Sequence, residues 1–277
     1  DASAPAMTIQ IAVLAHNEER RIALCLDSLP LDEAAVAVVV NGSSDATADI
    51  VRGYADRGVR LVEYTAGGKA RSWNRFMLDE APEADCYVFV DGDAQLLPGT
   101  VRGLERCLRN NPHANAAAGM PRNGRRAAYY RRLLAEEHGL FGDCYALSGA
   151  FVARLRASGV RLPEDLVGDD SLIAALANND LGRDADRREG AVVPCDTGGF
   201  LCEPTQLTPK GLNLQARRMV NYSVRHFQNR IITTLMQGEG PAALPPRMAD
   251  LYPEWLPRLR PRFSPLWFAF DRLALAV

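Results

Sequence analysis

Asp91 and Asp93 stand one residue apart behind Tyr87-Val88-Phe89-Val90, a run of strand-forming residues that ends in two carboxylates. Both side chains are short, and Gly92 between them lets the chain turn with no Cβ in the way. The pair can therefore share one hard divalent ion, Mg2+ or Mn2+, bridging a diphosphate. A hairpin turn is the other reading of Asp91-Gly92.

Four strand-helix units must position these carboxylates. Ile9 to Ala15 reads as a strand that meets His16-Asn17-Glu18-Glu19, with Asn17 as a helix N-cap and Ile22, Leu26 and Leu29 at helical spacing. A second strand over 35–40 ends at Asn41-Gly42-Ser43-Ser44-Asp45, before a helix over 46–54. The third, 59–64, ends at Thr65-Ala66-Gly67-Gly68-Lys69, before a helix carrying Trp73, Phe76 and Met77. The Asp91 strand is the fourth, and a helix follows over 100–108. This alternation predicts an α/β fold, a mostly parallel central sheet with helices on both faces. In such a sheet all strand C-termini share one edge, so Asn17, Glu18, Asn41, Ser43, Asp45, Lys69, Asp91 and Asp93 converge there.

With 277 residues, 47% of them hydrophobic, the chain can bury a large core. A net charge of −2 offers no global field for nucleic acid. No run of about 18 apolar residues is present, so no membrane span is expected. Six scattered cysteines without a CxxC pair predict free thiols in a reducing, cytoplasmic setting. The first strand-helix turn has no glycine, which excludes a dehydrogenase of the dinucleotide-binding type. What remains is a site that meets a nucleoside with side chains and a diphosphate with a metal.

The sequence resembles family 2 glycosyltransferases, inverting enzymes of GT-A fold that use nucleotide sugars. The matching stretches are Leu14-Ala15-His16-Asn17-Glu18-Glu19, Val38 to Thr47, Gly68-Lys69-Ala70 with Asn74, and Asp91-Gly92-Asp93. Further along come Ser148-Gly149-Ala150-Phe151, Gly168-Asp169-Asp170 and Gln215-Ala216-Arg217-Arg218-Met219. Together they cover residues 9–219 in the family's order.

The resemblance implies that His16, Asn17 and Glu18 meet the nucleotide, with Glu18 on the ribose, and that Asn41, Ser43 and Asp45 lie near the base. Lys69 sits by the diphosphate, Asp93 ligates the metal, and Asp91 contacts ribose or metal. Ser148 and Gly149 border the acceptor entrance, Gln215 and Arg218 approach the diphosphate, and Asp170 is the general base, with Asp169 beside it. Inverting transfer needs such a base on the acceptor side, and mutual repulsion raises the pKa of paired aspartates toward neutrality. The plain alternative for Asp169 is a cap on a helix over 171–179. The donor is expected to be UDP- or GDP-linked and the acceptor a glycan or a lipid-linked glycan of bacterial cell-surface synthesis. Val40 replaces an acid that reads the base in many relatives, and Met219 replaces the tryptophan of chain-extending ones. A non-catalytic nucleotide-sugar-binding or scaffold domain of the same fold is the alternative function.

The transferase domain is expected over 7–237, with its nucleotide-sugar half over about 7–120 and its acceptor half over about 121–237. The helix over 210–230 carries Lys210, Arg217, Arg218, Arg225 and Arg230 and no acid, beside an apolar stripe that includes Leu214. Residues 238–277 are proline-rich and read as an extension with short helical pieces. There Trp255, Trp267, Phe268 and Phe270 stand beside Arg258, Arg260 and Arg262, which suits peripheral contact with the inner face of the cytoplasmic membrane, or a homodimer interface.

Overall fold

The computed structural model describes residues 7–124, 126–202 and 209–276, with 209–214 described for their backbone only. The side chains of Lys210 and Leu214 therefore lie outside the described residues.

The first half follows the expected alternation. β1 (Ile9–Ala15), α1 (Ile22–Asp27), β2 (Ala35–Asn41), α2 (Thr47–Arg52), β3 (Val59–Tyr64), α3 (Lys69–Asn74) and β4 (Cys86–Asp91) form four parallel strands in the order β3-β2-β1-β4. A π-helical stretch, Arg75–Glu80, prolongs α3 through Phe76 and Met77. β1 is buried throughout, as an inner parallel strand covered on both faces must be. β3 exposes Arg60 and Glu63 and forms the sheet edge.

The second half departs from a purely parallel sheet. After β5 (Ala94–Leu96), α4 (Thr100–Asn110), β6 (Ala116–Ala118) and α5 (Ala127–Glu137) comes β7 (Cys144–Ser148), antiparallel to β4. α6 (Gly149–Ser158), α7 (Asp169–Asn178), β8 (Val192–Pro194), β9 (Phe200–Cys202) and α8 (Pro209–Gln237) follow. The main sheet has seven strands in the order β3-β2-β1-β4-β7-β6-β8, and β5 pairs with β9 in a separate ribbon. Alternate residues of each strand feed opposite apolar layers. Leu14, Val39, Trp73 and Phe89 lie in one, and Val13, Val38, Val88 and Leu104 in the other.

An aromatic stack braces β4 from below. Phe89 faces Tyr145 across the β4–β7 ladder with ring centroids 4.7 Å apart, and Trp73 donates to the Tyr145 hydroxyl at 2.9 Å.

The segment after α8 is docked as well as proline-rich. Met248 is buried in the same layer as Trp73, and Gln228 Nε2 donates to the Tyr252 hydroxyl at 2.8 Å. α9 (Tyr252–Trp255) and α10 (Pro265–Ala274) complete the chain, α10 packing on α8. No helix among the described residues is long and apolar enough to cross a membrane.

Candidate active site

The rim at the C-terminal ends of β1, β2 and β4 is built by close backbone approach. Gly92 N–H donates to the Leu14 carbonyl at 2.9 Å, and a Cβ on Gly92 would come within 2.9 Å of the Ala15 Cβ. Only glycine lets the two aspartates sit against the end of β1. Asn41 ties the neighbouring turns together, donating to the Ala15 carbonyl at 3.0 Å and accepting from Gly68 N–H at 3.2 Å. That second bond fixes the start of α3, from which Lys69 reaches back to the rim.

Two lobes of one cleft share Lys69 and Asp91. The smaller, about 350 Å3, is lined by His16, Glu18, Asn41, Gly68 and Asp93 as well. The larger, about 740 Å3, contains Asp143, Asp169, Asp170 and Arg225, with Tyr130, Phe141 and Tyr222 on its walls. Lys69 Nζ lies 2.7 Å from Asp91 and 3.8 Å from Asp169. Arg21 Nε donates to Glu18 at 2.7 Å, and its Nη1 is 3.3 Å from Asp93.

Asp143 is the functional candidate that sequence reasoning missed. Asp91, Asp93 and Asp143 can each offer an oxygen within 4.8 Å of the others. β7 runs antiparallel to β4, so it is the start of this strand that reaches the rim, and Asp91 N–H donates to the Asp143 carbonyl at 3.2 Å. Three carboxylates form an all-oxygen donor set, which fits a hard divalent cation.

The clustered carboxylates favour positive charge at the rim. Burial, reinforced by the charge of Asp93, pushes the Glu18 carboxyl up to about 7. Burial raises Asp91 against the pull of Lys69, with Asp143 and Asp93 adding repulsion, and burial and Asp93 raise Asp143. Burial opposes the Lys69 ammonium, but Asp169 and Asp91 outweigh it and hold its pKa well above the usual lysine value. Burial also raises Asp169, and its Oδ2 has no hydrogen-bond partner among the described residues.

Residues 10–154, more than half of the chain, match the sequence model of glycosyl transferase family 2. The chain belongs to this family. Comparison with curated protein sequences finds no match. Among solved structures, this family 2 glycosyltransferase is similar to mannosyltransferase PcManGT from Pyrobaculum calidifontis in complex with GDP-Man and Mn2+. The two share 24% identity with a TM-score of 0.61, over 98% of this chain and 74% of that one. It is also similar to glucosyl-3-phosphoglycerate synthase from Mycobacterium tuberculosis with Mn2+, UDP and glucosyl-3-phosphoglycerate, at 22% identity and a TM-score of 0.55, over 86% and 81% of the chains. S. aureus TarS 1–349 matches at 17% identity with a TM-score of 0.53, over 91% and 78%. These likenesses show a common GT-A fold.

Several expected site residues fall elsewhere in this glycosyltransferase. Asn17 is no helix cap: it has φ 55°, its Oδ1 accepts from Ser44 N–H at 2.9 Å, and α1 begins only at Ile22. Ser43 Oγ accepts from Asn17 N–H at 3.0 Å, and Asp45 accepts from Thr47 N–H at 3.0 Å and Glu19 N–H at 3.1 Å. These three knit two turns together and line neither lobe.

Ser148 and Gly149 lie away from the cleft. Ser148 pairs with Cys86 at the far end of β4, roughly 16 Å along the strand from Asp91 at about 3.3 Å per residue. There Ser148 caps α6 by accepting from Phe151 N–H at 3.2 Å, and Gly149 packs so closely that a Cβ would lie 2.1 Å from the Ala84 carbonyl.

Asp169 and Asp170 are the first two residues of α7 and cap nothing, since Gly168 holds the cap position at φ 86°. Asp170 instead pairs with Arg225 at 3.0 Å, and the same guanidinium donates to Ser171 Oγ at 2.5 Å. Gln215 and Arg218 stand one to three turns earlier on α8 and line neither lobe; Tyr222 and Arg225 are the residues of this helix that enter the cleft. Arg122, before α5, and Arg131, on it, bond backbone carbonyls at 2.5 Å and 3.0 Å.

Proposed function

We propose that this chain is a metal-dependent inverting hexosyltransferase that moves a sugar from a UDP- or GDP-linked donor to the hydroxyl of a glycan or lipid-linked acceptor. The observation that carries this reading is the pair of acidic centres, Asp91/Asp93/Asp143 and Asp169/Asp170, facing each other across Lys69 in one cleft. The printed complexes of the two structural relatives, with Mn2+ and nucleotide or nucleotide sugar, support the choice of donor and metal.

Asp91, Asp93 and Asp143 would hold Mg2+ or Mn2+, which when bound supplies positive charge to the departing diphosphate. Glu18 accepts from the ribose hydroxyls in the smaller lobe, with His16 and Asn41 on the adjoining wall. Lys69, compact and kept protonated by its carboxylate neighbours, neutralises charge on the leaving side. Asp170, oriented by Arg225, takes the proton of the acceptor hydroxyl. That oxygen bonds the anomeric carbon from the face opposite the leaving group as the bond to the diphosphate oxygen breaks. Such in-line displacement inverts the anomeric centre. The unpartnered Oδ2 of Asp169 is placed to accept from a sugar hydroxyl.

We assign residues 7–237 to the transferase unit, with its nucleotide-sugar half over about 7–120 and its acceptor half over about 121–237, and 238–277 to an appended lobe. Six free cysteines favour a reducing, cytoplasmic setting.

The test is turnover of a panel of UDP- and GDP-sugars with Mn2+, with anomeric configuration read by NMR. The wild type should release nucleoside diphosphate, with the opposite anomer in the product, and Asp170→Asn should be slower by about 10²-fold or more. A wild type that consumes no donor, with or without acceptor, supports a non-catalytic binding domain instead.

A further inference from the structure

α10 packs inward through Asp271, with Trp267, Phe270 and Ala274 half-buried around it. Asp271 is fully buried, and its carboxylate accepts from Arg262 through the backbone N–H at 2.8 Å, Nε at 3.0 Å and Nη2 at 2.6 Å. The same guanidinium donates to Ser223 Oγ on α8 at 3.1 Å and lies 4.0 Å over the Trp267 ring. This latch fixes the roll of the helix.

The roll it fixes is the unexpected one. Leu266, Ala269 and Leu273 recur at i, i+3 and i+7, flanked by the half-buried Phe270, a spacing that an amphipathic helix ordinarily turns to its core. Here Leu266 and Leu273 are 60% and 54% exposed, Phe268 is 50% exposed, and Phe263 just before the helix is fully exposed. A buried, well-bonded ion pair thus holds an apolar stripe in the solvent.

Charge around the stripe has one sign. From Trp255 to Ala276 the only acid is the buried Asp271, whereas Arg272, next to Leu273 in the helix, and Arg260, three residues before Phe263, are exposed. An isologous pairing of two copies through this face would bring the same arginines together.

We infer that this face docks onto an anionic lipid bilayer. Phe263, Leu266 and Leu273 enter the boundary between headgroups and acyl chains, while Arg260 and Arg272 meet lipid phosphates. Because α10 lies against α8, which carries Tyr222 and Arg225 into the larger lobe, docking brings the cleft near the bilayer.

Flotation of the full chain with phosphatidylcholine vesicles, with and without phosphatidylglycerol, tests this independently of any catalytic reading. The protein should float with the anionic vesicles only, and added salt should weaken the association. The double variant Leu266→Glu/Leu273→Glu should lose binding by about tenfold or more at an unchanged melting temperature, because both side chains are exposed. Arg260→Glu/Arg272→Glu should lose it too. Absence of flotation, equal flotation of the leucine variant, or a wild-type dimer in light scattering that the leucine variant dissolves would each overturn the inference.

Discussion

Lys69 and Asp91 form an ion pair, with Nζ 2.7 Å from Oδ1, on the wall that the two lobes of the cleft share. Replacing Lys69 by Met leaves the rim carboxylates and Asp169 without their common counter-charge. Turnover should fall by about 10² to 10³-fold, the usual loss when one preorganised charge donor is removed. Lys69→Arg should not restore it, since a planar guanidinium fork does not reproduce a compact ammonium held between two carboxylates. Steady-state kinetics of the two variants checks both statements.

Asp143→Asn should weaken Mn2+ binding by about tenfold or more, because the charge count of the ligand set governs affinity for a hard cation. Calorimetry without nucleotide measures this directly. Unchanged affinity would remove Asp143 from the metal site.

Metal binding should also depend on pH with a definite sign. Glu18, beside the rim, sits at about 7, and burial and mutual repulsion raise Asp91 and Asp143 above the usual carboxylate range, so a cation at the rim competes with protons as pH falls. Affinity for Mn2+ should rise between about pH 6 and pH 8, with net proton release near neutrality. Calorimetry in two buffers of different ionisation enthalpy reads that release. Glu18→Gln should reduce it.

The distinction between Ser148 and the cleft can be tested by separating stability from kinetics. Ser148→Ala removes the α6 cap and should cost about 1 kcal/mol of stability with the acceptor KM unchanged. Gly168→Ala should damage kinetics as well as stability, since alanine is strained at φ 86°. A Cβ there would lie 2.4 Å from Arg225 Nε, which displaces the guanidinium from Asp170 and lowers kcat more than donor affinity.

Much of the rim was legible because parallel strands deliver their C-terminal residues to one edge. Glu18, Asn41, Lys69, Asp91 and Asp93 all meet there for that reason. Asp143 was not legible, because an antiparallel strand brings its first residue to the same edge, and nothing in Cys144–Ser148 announces its direction. The same reversal carried Ser148 to the far end of the sheet. On α8 the motif pointed to Arg218, but which arginine faces the cleft is set by how the helix packs, and the geometry selects Arg225. The aromatic and arginine content after residue 254 was readable; the outward roll of α10 depends on the Arg262–Asp271 latch, a tertiary feature.

The central claim is that the rim carboxylates hold a nucleoside diphosphate through a divalent ion. Thermal stabilisation by UDP or GDP, with Mn2+ against EDTA, in the wild type and in Asp93→Ala, tests it most directly. At a hundredfold excess over Kd, binding should stabilise the wild type by about 2.7 kcal/mol with Mn2+, and this should vanish in EDTA and in the variant. Equal stabilisation with Mn2+ and with EDTA would contradict the account.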